Sequence, residues 1–162
     1  MAARAETKPV SETVEIGPAA ESEREWAAEL MAGSDPWLQL GRGLEACREV
    51  CGRPGYELFV ARDEGGPRGF VLVHSRGLAG SPYVASIAVT ENRRGMGLGS
   101  RLLDFVEGHF RPEARHLFLC VSSFNERARR LYERLGFEAV GELEDYVVDG
   151  ASEILMHKWL RR

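Results

Sequence analysis

No apolar run in the 162 residues approaches the roughly 20 needed to cross a bilayer as a helix, so a helical membrane span is excluded. The opening MAARAETKPVSETVEIG has no apolar centre of the kind a secretory signal needs, and its glutamates argue against a transit peptide; a cytoplasmic location is expected. Cysteine is scarce, and Cys47, Cys51 and Cys120 cannot all pair within one chain. Cys47 and Cys51 stand four apart, as on one helix face, with no histidine beside them. His74, His109, His116 and His157 also lack ligand spacing, so no metal site is expected. Buried free thiols in a reducing compartment are the better reading. Internal repeats and low-complexity tracts are absent too, which sets repeat architectures aside.

The composition that remains is ordinary for a globular chain, 44% apolar and 28% charged, and the length suits one domain. Residues 1–10 read as a flexible tail and 11–162 as a single domain. The net charge of −4 is unevenly spread. Residues 93–134 hold nine arginines against five carboxylates, a net of +4, which leaves −8 on the rest. An acidic protein with one basic stretch suits a small phosphorylated ligand better than nucleic acid, whose binders carry broadly basic domains. Neither a nucleic-acid nor a membrane partner is expected.

Residues 13–16 alternate as a short strand stopped by Gly17-Pro18, and 20–31 read as a helix with Trp26, Leu30 and Met31 on one side. Gly33-Ser34-Asp35-Pro36 is a break. Pro36 suits the first turn of a second helix, whose stripe runs Trp37, Leu40, Leu44, Cys47 and Cys51 before Gly52 stops it. Apolar runs at 56–62 and 69–75 flank Gly65-Gly66-Pro67 as a hairpin, and 83–89 is a further strand. A helix over 100–110 turns Leu102, Leu103, Val106 and Phe110 inward. Residues 116–122 form a buried strand, and 125–135 a helix closed by Gly136. The runs 139–148 and 152–160 flank an Asp149-Gly150 turn. The order β-α-α-β-β-β-α-β-α-β-β mixes hairpins with crossovers, an α/β (α+β) class with a mixed sheet and helices on both faces.

Between strand 83–89 and helix 100–110 lies TENRRGMGLGS, with glycines at 95, 97 and 99. A helix N-terminus carries unpaired N–H groups and partial positive charge, and glycines let that backbone approach an anion. The P-loop pattern GxxxxGK[ST] fails for want of its lysine. A dinucleotide fingerprint is a near miss, Gly95-x-Gly97-x-x-Ser100, and the next strand ends in Cys120, Val121 and Ser122 where an acidic residue is wanted. Arg94-x-x-Gly97-x-Gly99, in contrast, resembles the pyrophosphate loop of the GCN5-related N-acetyltransferases, the GNAT superfamily. A second block, Asn125-x-x-Ala128-x-x-Leu131-Tyr132-x-x-Leu135-Gly136-Phe137, is similar to the segment that follows in that family. The resemblance extends over about residues 12–160 as a GNAT, or acyl-CoA N-acyltransferase, fold, with its motifs spanning 87–137.

The resemblance implies an acetyl-CoA-dependent N-acetyltransferase that moves the acetyl group directly to a primary amine, of a small molecule or a peptide, in a ternary complex. It implies that Ile87, Ala88 and Val89 pair with the pantetheine arm through their backbone. The N–H groups of Arg94, Gly95, Met96, Gly97, Leu98, Gly99 and Ser100 would cradle the pyrophosphate, with the side chains of Arg93, Arg94 and Arg130 as further phosphate candidates. Asn125 would hydrogen-bond the cofactor arm, and Tyr132 would protonate the departing thiolate as general acid. The attacking amine must be neutral: at pH 7 about one lysine ammonium in 2,500 is, against roughly one α-amine in seven. A base is therefore wanted. The ribosomal-protein alanine acetyltransferases of this family carry a glutamate for it where this chain has Cys120. His74, Glu57, Glu144 and Tyr146 remain as candidates, with no assignment among them. The acceptor side is expected to include Trp37, in SDPWLQLGR, and Tyr146 of the last hairpin. Two other readings stay open, a non-catalytic acyl-CoA-binding sensor and an N-acyltransferase for a longer acyl chain. The last strand, SEILMHKWL, offers a surface for a homodimer.

Overall fold

In the computed structural model, which describes residues 13–162, the first half runs β1 (Glu15–Pro18), α1 (Glu21–Ala32), α2 (Leu44–Gly52), β2 (Tyr56–Asp63), β3 (Gly66–Leu78) and β4 (Ser81–Val89). It continues through α3 (Leu98–Phe110), β5 (His116–Ser122), α4 (Glu126–Arg134), β6 (Glu138–Leu143) and β7 (Glu153–Trp159). This is the element order expected from the sequence, with a short 3-10 turn at Glu91–Arg93 added. The tail expected at 1–10 lies outside the described residues. Seven strands form one mixed sheet in the order β1-β2-β3-β4-β5-β7-β6, antiparallel throughout except for the β4–β5 pair, which the α3 crossover makes parallel.

Strand alternation divides the core in two. Helices α3 and α4 cover one face, where Leu102, Leu103 and Val106 pack among Phe59, Val71, Leu117 and Leu119. Each of these aliphatic side chains is fully buried, which stabilises the fold by about 1.5–3 kcal/mol apiece. Helices α1 and α2 cover the other face: Met31, Cys47 and Cys51 meet Leu58, Val60, Phe70 and Leu72. The second cluster stops at β4 and takes in no residue of β5, β6 or β7. Among the described residues no helix is long and apolar enough to cross a membrane.

Four expectations are corrected. The second helix starts at Leu44 rather than Pro36, because Gly41 takes φ +67° and Gly43 becomes the N-cap. Residues 34–42 form turns, held by bonds such as Leu40 N to Pro36 O and Arg42 N to Trp37 O. The first strand begins at Glu15, not at residue 13. Strand β6 ends at Leu143, so Asp149-Gly150 sits in a longer connection instead of forming a two-residue hairpin turn. Strand β7 is interior, paired to β5 on one side and β6 on the other, which leaves β6 as the exposed sheet edge.

Candidate active site

β4 and β5 touch over two residue pairs, Tyr83 with Phe118 and Val84 with Leu119, and then separate. The cause lies in β4. Val84 faces Val73 and Ser86 faces Leu72 on β3, so Ala85 is an extra residue, a bulge that bends and twists the strand away from β5. Beyond it the β4 edge at 85–89 faces open space, while the other edge of β5 is taken by β7. The resulting cleft holds about 780 Å³, and Ile87, Ala88 and Val89 line it. Ser86 is in its wall too, with a fully buried Oγ that has no hydrogen-bond partner among the described residues.

The N-terminus of α3 closes one end. Gly95 at φ +76° and Gly97 at φ +81° adopt the left-handed backbone that other residues resist, and a Cβ at Gly97 would meet no protein atom within 4 Å. The first α-helical bond is Arg101 N to Gly97 O, so the N–H groups of Leu98, Gly99 and Ser100 have no helical acceptor. Arg94 lines the cleft, and its Nε donates to Val89 O at 3.2 Å, bracing the loop against the strand end. Arg93 is held otherwise, paired with Asp63, which also accepts from Arg68 at 2.9 Å. The Arg68 and Arg93 guanidiniums keep the Asp63 carboxyl well below the usual carboxylate range. Met96 is 66% exposed and does not line the cleft, whereas Arg94, Gly95, Gly97, Leu98, Gly99 and Ser100 do. Arg130 pairs with Glu126 on the outer surface of α4; Arg127, one turn earlier, faces the cleft near Gly95, and Arg134 at the helix end lines it too.

Asn125 caps α4, its Oδ1 accepting from Ala128 N at 3.3 Å, which leaves the amide Nδ2 without a partner among the described residues in the cleft wall. Two turns on, Tyr132 is 7% exposed, with its ring against Phe137 at 6.0 Å. Its hydroxyl has no partner among the described residues yet still reaches solvent through the cleft. Burial pushes its pKa up to about 12, so it stays a proton donor throughout the physiological range.

On the opposite sheet face several polar groups enter the cleft wall. Trp37 from the α1–α2 connection and Tyr146 from the β6–β7 connection line it, as do Tyr83, Cys120, Ser122 and Glu153. The Tyr83 hydroxyl lies against the Cys120 thiol, and burial pushes both groups up. Cys120 is therefore a neutral thiol rather than an activated nucleophile. Glu153 is 9% exposed, and Ser122 Oγ donates to its Oε1 at 2.6 Å. Of the base candidates read from sequence, Tyr146 lines the cleft and His74, Glu57 and Glu144 do not. His74 packs on Tyr56, and Glu57 meets His109 at 3.3 Å. Arg127, Ser86, Tyr83 and Glu153 were not singled out by sequence reasoning. The signals that could have found them are the cap-plus-two position of Arg127 and the strand pairing that puts Glu153 beside Ser122.

A model described as the acetyltransferase (GNAT) family matches residues 21–137. The 5-NmdU N-acetyltransferase of Pseudomonas phage PaMx11 is 36% identical over 85 residues, 52% of this chain and 59% of that one. An uncharacterized N-acetyltransferase of Methanocaldococcus jannaschii is 33% identical over 102 residues, 62% of this chain and 64% of the relative. The chain thus spans less than two thirds of the length of these curated relatives. Among solved structures, Arabidopsis thaliana NAA60 in complex with acetyl-CoA is alike in fold, with a TM-score of 0.75 at 18% identity over 91% of this chain and 98% of that one.

Proposed function

This chain belongs to the GNAT acetyltransferase family, and from that premise we propose that it is an acetyl-CoA-dependent N-acetyltransferase acting on a primary amine by direct transfer in a ternary complex. The observation that carries the reading is the split between β4 and β5. It joins the glycine turn, the α3 N-terminus and the Tyr132 hydroxyl in one cleft. The walls fit the donor. The open β4 edge offers backbone groups to the amides of the pantetheine arm, the N–H groups after Gly97 offer donors to a pyrophosphate, and Ser86 Oγ is a buried polar atom still lacking a partner. Acetyl-CoA, when bound, supplies the acyl thioester. Asn125 Nδ2 orients the arm, Arg127 and the braced loop hold the phosphate end, and Tyr132 offers its hydroxyl proton to the departing sulfur.

The test measures CoA release against polyamines, amino acids, aminoglycosides and peptides with N-terminal or lysyl amines, alongside calorimetry of acetyl-CoA binding. Acceptor-stimulated release is expected for one class. Tight acetyl-CoA binding with no stimulated release across the panel would make the domain an acyl-CoA sensor instead. The same assay with longer acyl-CoA thioesters reads chain-length preference. The setting is cytoplasmic, in keeping with the free thiols of Cys47, Cys51 and Cys120. Sedimentation tests whether the exposed β6 edge forms a homodimer.

A further inference from the structure

The acceptor amine must lose a proton, and the cleft contains few groups able to take it. No histidine lines it, and among the described residues its carboxylates are Asp35 and Glu153. Asp35 is exposed on the α1–α2 connection, whereas Glu153 is held from three strands. It begins β7, stands opposite Ser122 on β5 and faces Leu143 on β6. Ser122 Oγ fixes Oε1; Oε2 accepts nothing from the described residues and remains open to solvent. The carboxylate is thus fixed at one oxygen and free at the other, as a proton acceptor must be.

Its side of the sheet matters as much. Ile154 and Met156 belong to the core under α3 and α4, as do Val121, Leu119 and Val84. Alternation therefore turns Glu153, Ser122, Cys120 and Tyr83 to the opposite face, the side of Trp37 and Tyr146. Tyr132 reaches the split from the α4 side. A nucleophile that enters on the Glu153 side and a thiolate that leaves on the Tyr132 side give the opposed geometry that acyl transfer through the split requires.

We propose that Glu153 accepts the proton of the attacking amine, with Ser122 as its positioning residue and Tyr132 as the proton donor on the other face; this rests on the acetyl-transfer reading above. At pH 7 the acceptor arrives as the ammonium: Glu153 Oε2 takes one proton from it and passes it to solvent, the N–C bond then forms as the C–S bond breaks, the second nitrogen proton goes to the same oxygen, and the sulfur takes the Tyr132 proton. Both side chains then re-equilibrate with solvent. The groups facing Glu153 are Tyr83 from β4, Cys120 from β5 and Tyr146 from the β6–β7 connection, with Asp35 and Arg42 in the cleft wall formed by the α1–α2 connection.

Glu153→Gln keeps an oxygen for Ser122 and removes the base. With propylamine as probe, whose ammonium titrates near that of lysine at about 10.4, kcat/KM at pH 7 should fall by roughly 10²-fold or more. The deficit should shrink about tenfold per pH unit as free amine accumulates, because the variant depends on amine that is already neutral. Ser122→Ala should lower kcat with little change in KM for acetyl-CoA. A readout independent of turnover is ¹³C NMR of the glutamate-labelled chain. The carboxyl resonance missing from Glu153→Gln should move on adding propylammonium chloride and stay put with sodium chloride. A wild type that neither binds acetyl-CoA nor releases CoA overturns the acetyl-transfer reading and this one with it. A wild type that does both, with a folded Glu153→Gln matching it at pH 7 or keeping a constant deficit from pH 7 to 9.5, overturns the base alone, as does a carboxyl resonance that ignores the amine.

Discussion

Replacing Tyr132 with phenylalanine isolates a single hydroxyl. The ring keeps its contact with Phe137, and the lost oxygen has no hydrogen bond to any described residue, so no cavity opens and no partner is orphaned. Stability near neutral pH should stay within about 0.5 kcal/mol. The catalytic loss can be sized from the pKa. A donor near 12 facing a thiolate whose ordinary pKa is about 8.5 would transfer its proton uphill by about 5 kcal/mol in the ground state. On the proposed function, hydrogen-bond donation to the sulfur as charge develops should therefore supply most of the rate effect, with the proton following as the C–S bond breaks. Such a bond to a charged group contributes about 1.5–3 kcal/mol, roughly 10- to 150-fold in rate. Steady-state CoA release by Tyr132→Phe should show kcat reduced about 10²-fold with acetyl-CoA affinity unchanged by calorimetry. Burial also links to stability. The folded pKa lies above the unfolded value of 10, so above pH 10 the unfolded chain gives up its proton first and stability falls until about pH 12. The Tyr132 share of that alkaline loss, ~3 kcal/mol at most, should vanish in Tyr132→Phe. Full turnover in a folded variant, or a wild-type alkaline activity limb below pH 10 that disappears with the hydroxyl, would refute the reasoning.

Asn125→Ser separates cap from contact: serine caps a helix as well as asparagine, so the melting temperature should hold while acetyl-CoA affinity drops several-fold. Asn125→Ala should in addition lose about 1 kcal/mol of stability. Gly97→Ala meets no protein atom but forces a side chain onto φ +81°; about 1–2 kcal/mol of stability should go, and on the proposed function acetyl-CoA binding should weaken further because the methyl is added in the cleft wall beside the α3 N–H groups. Glu23 is held below its ordinary pKa chiefly by its hydrogen bond with Arg62, at 2.6 Å. The stability it contributes is present above pH 4.5 and lost as pH falls through the folded value, so acid unfolding of Glu23→Gln should lack that part of the pH dependence.

The glycine-turn side of the cleft was legible because its determinants are local. A glycine turn at a strand–helix junction, an asparagine cap and a tyrosine two turns in are all short-range patterns, and the crossover that brings them together follows from element order. Where local pattern misled, a backbone conformation had overruled a hydrophobic stripe. The spacing of Trp37, Leu40 and Leu44 is helical, yet the positive φ at Gly41 unwinds the segment, and Trp37 ends up on a turn lining the cleft. Glu153 was missed for a different reason. In SEILMHKWL it reads as an ordinary polar residue opening a strand, next to apolar neighbours that alternate into the core. Its burial comes from a pairing 31 residues away, where Ser122 supplies the hydrogen bond. Position in the cleft follows from the bulge at Ala85 on another strand again, a register shift with no signature in composition. The opposite side of the cleft is built from such non-local placements, with Trp37, Tyr83, Tyr146 and Glu153 each on a different element or connection. Local sequence can therefore bring the glycine turn, Asn125 and Tyr132 to one cleft, whereas Glu153 emerges only once the register of β5 against β7 is known.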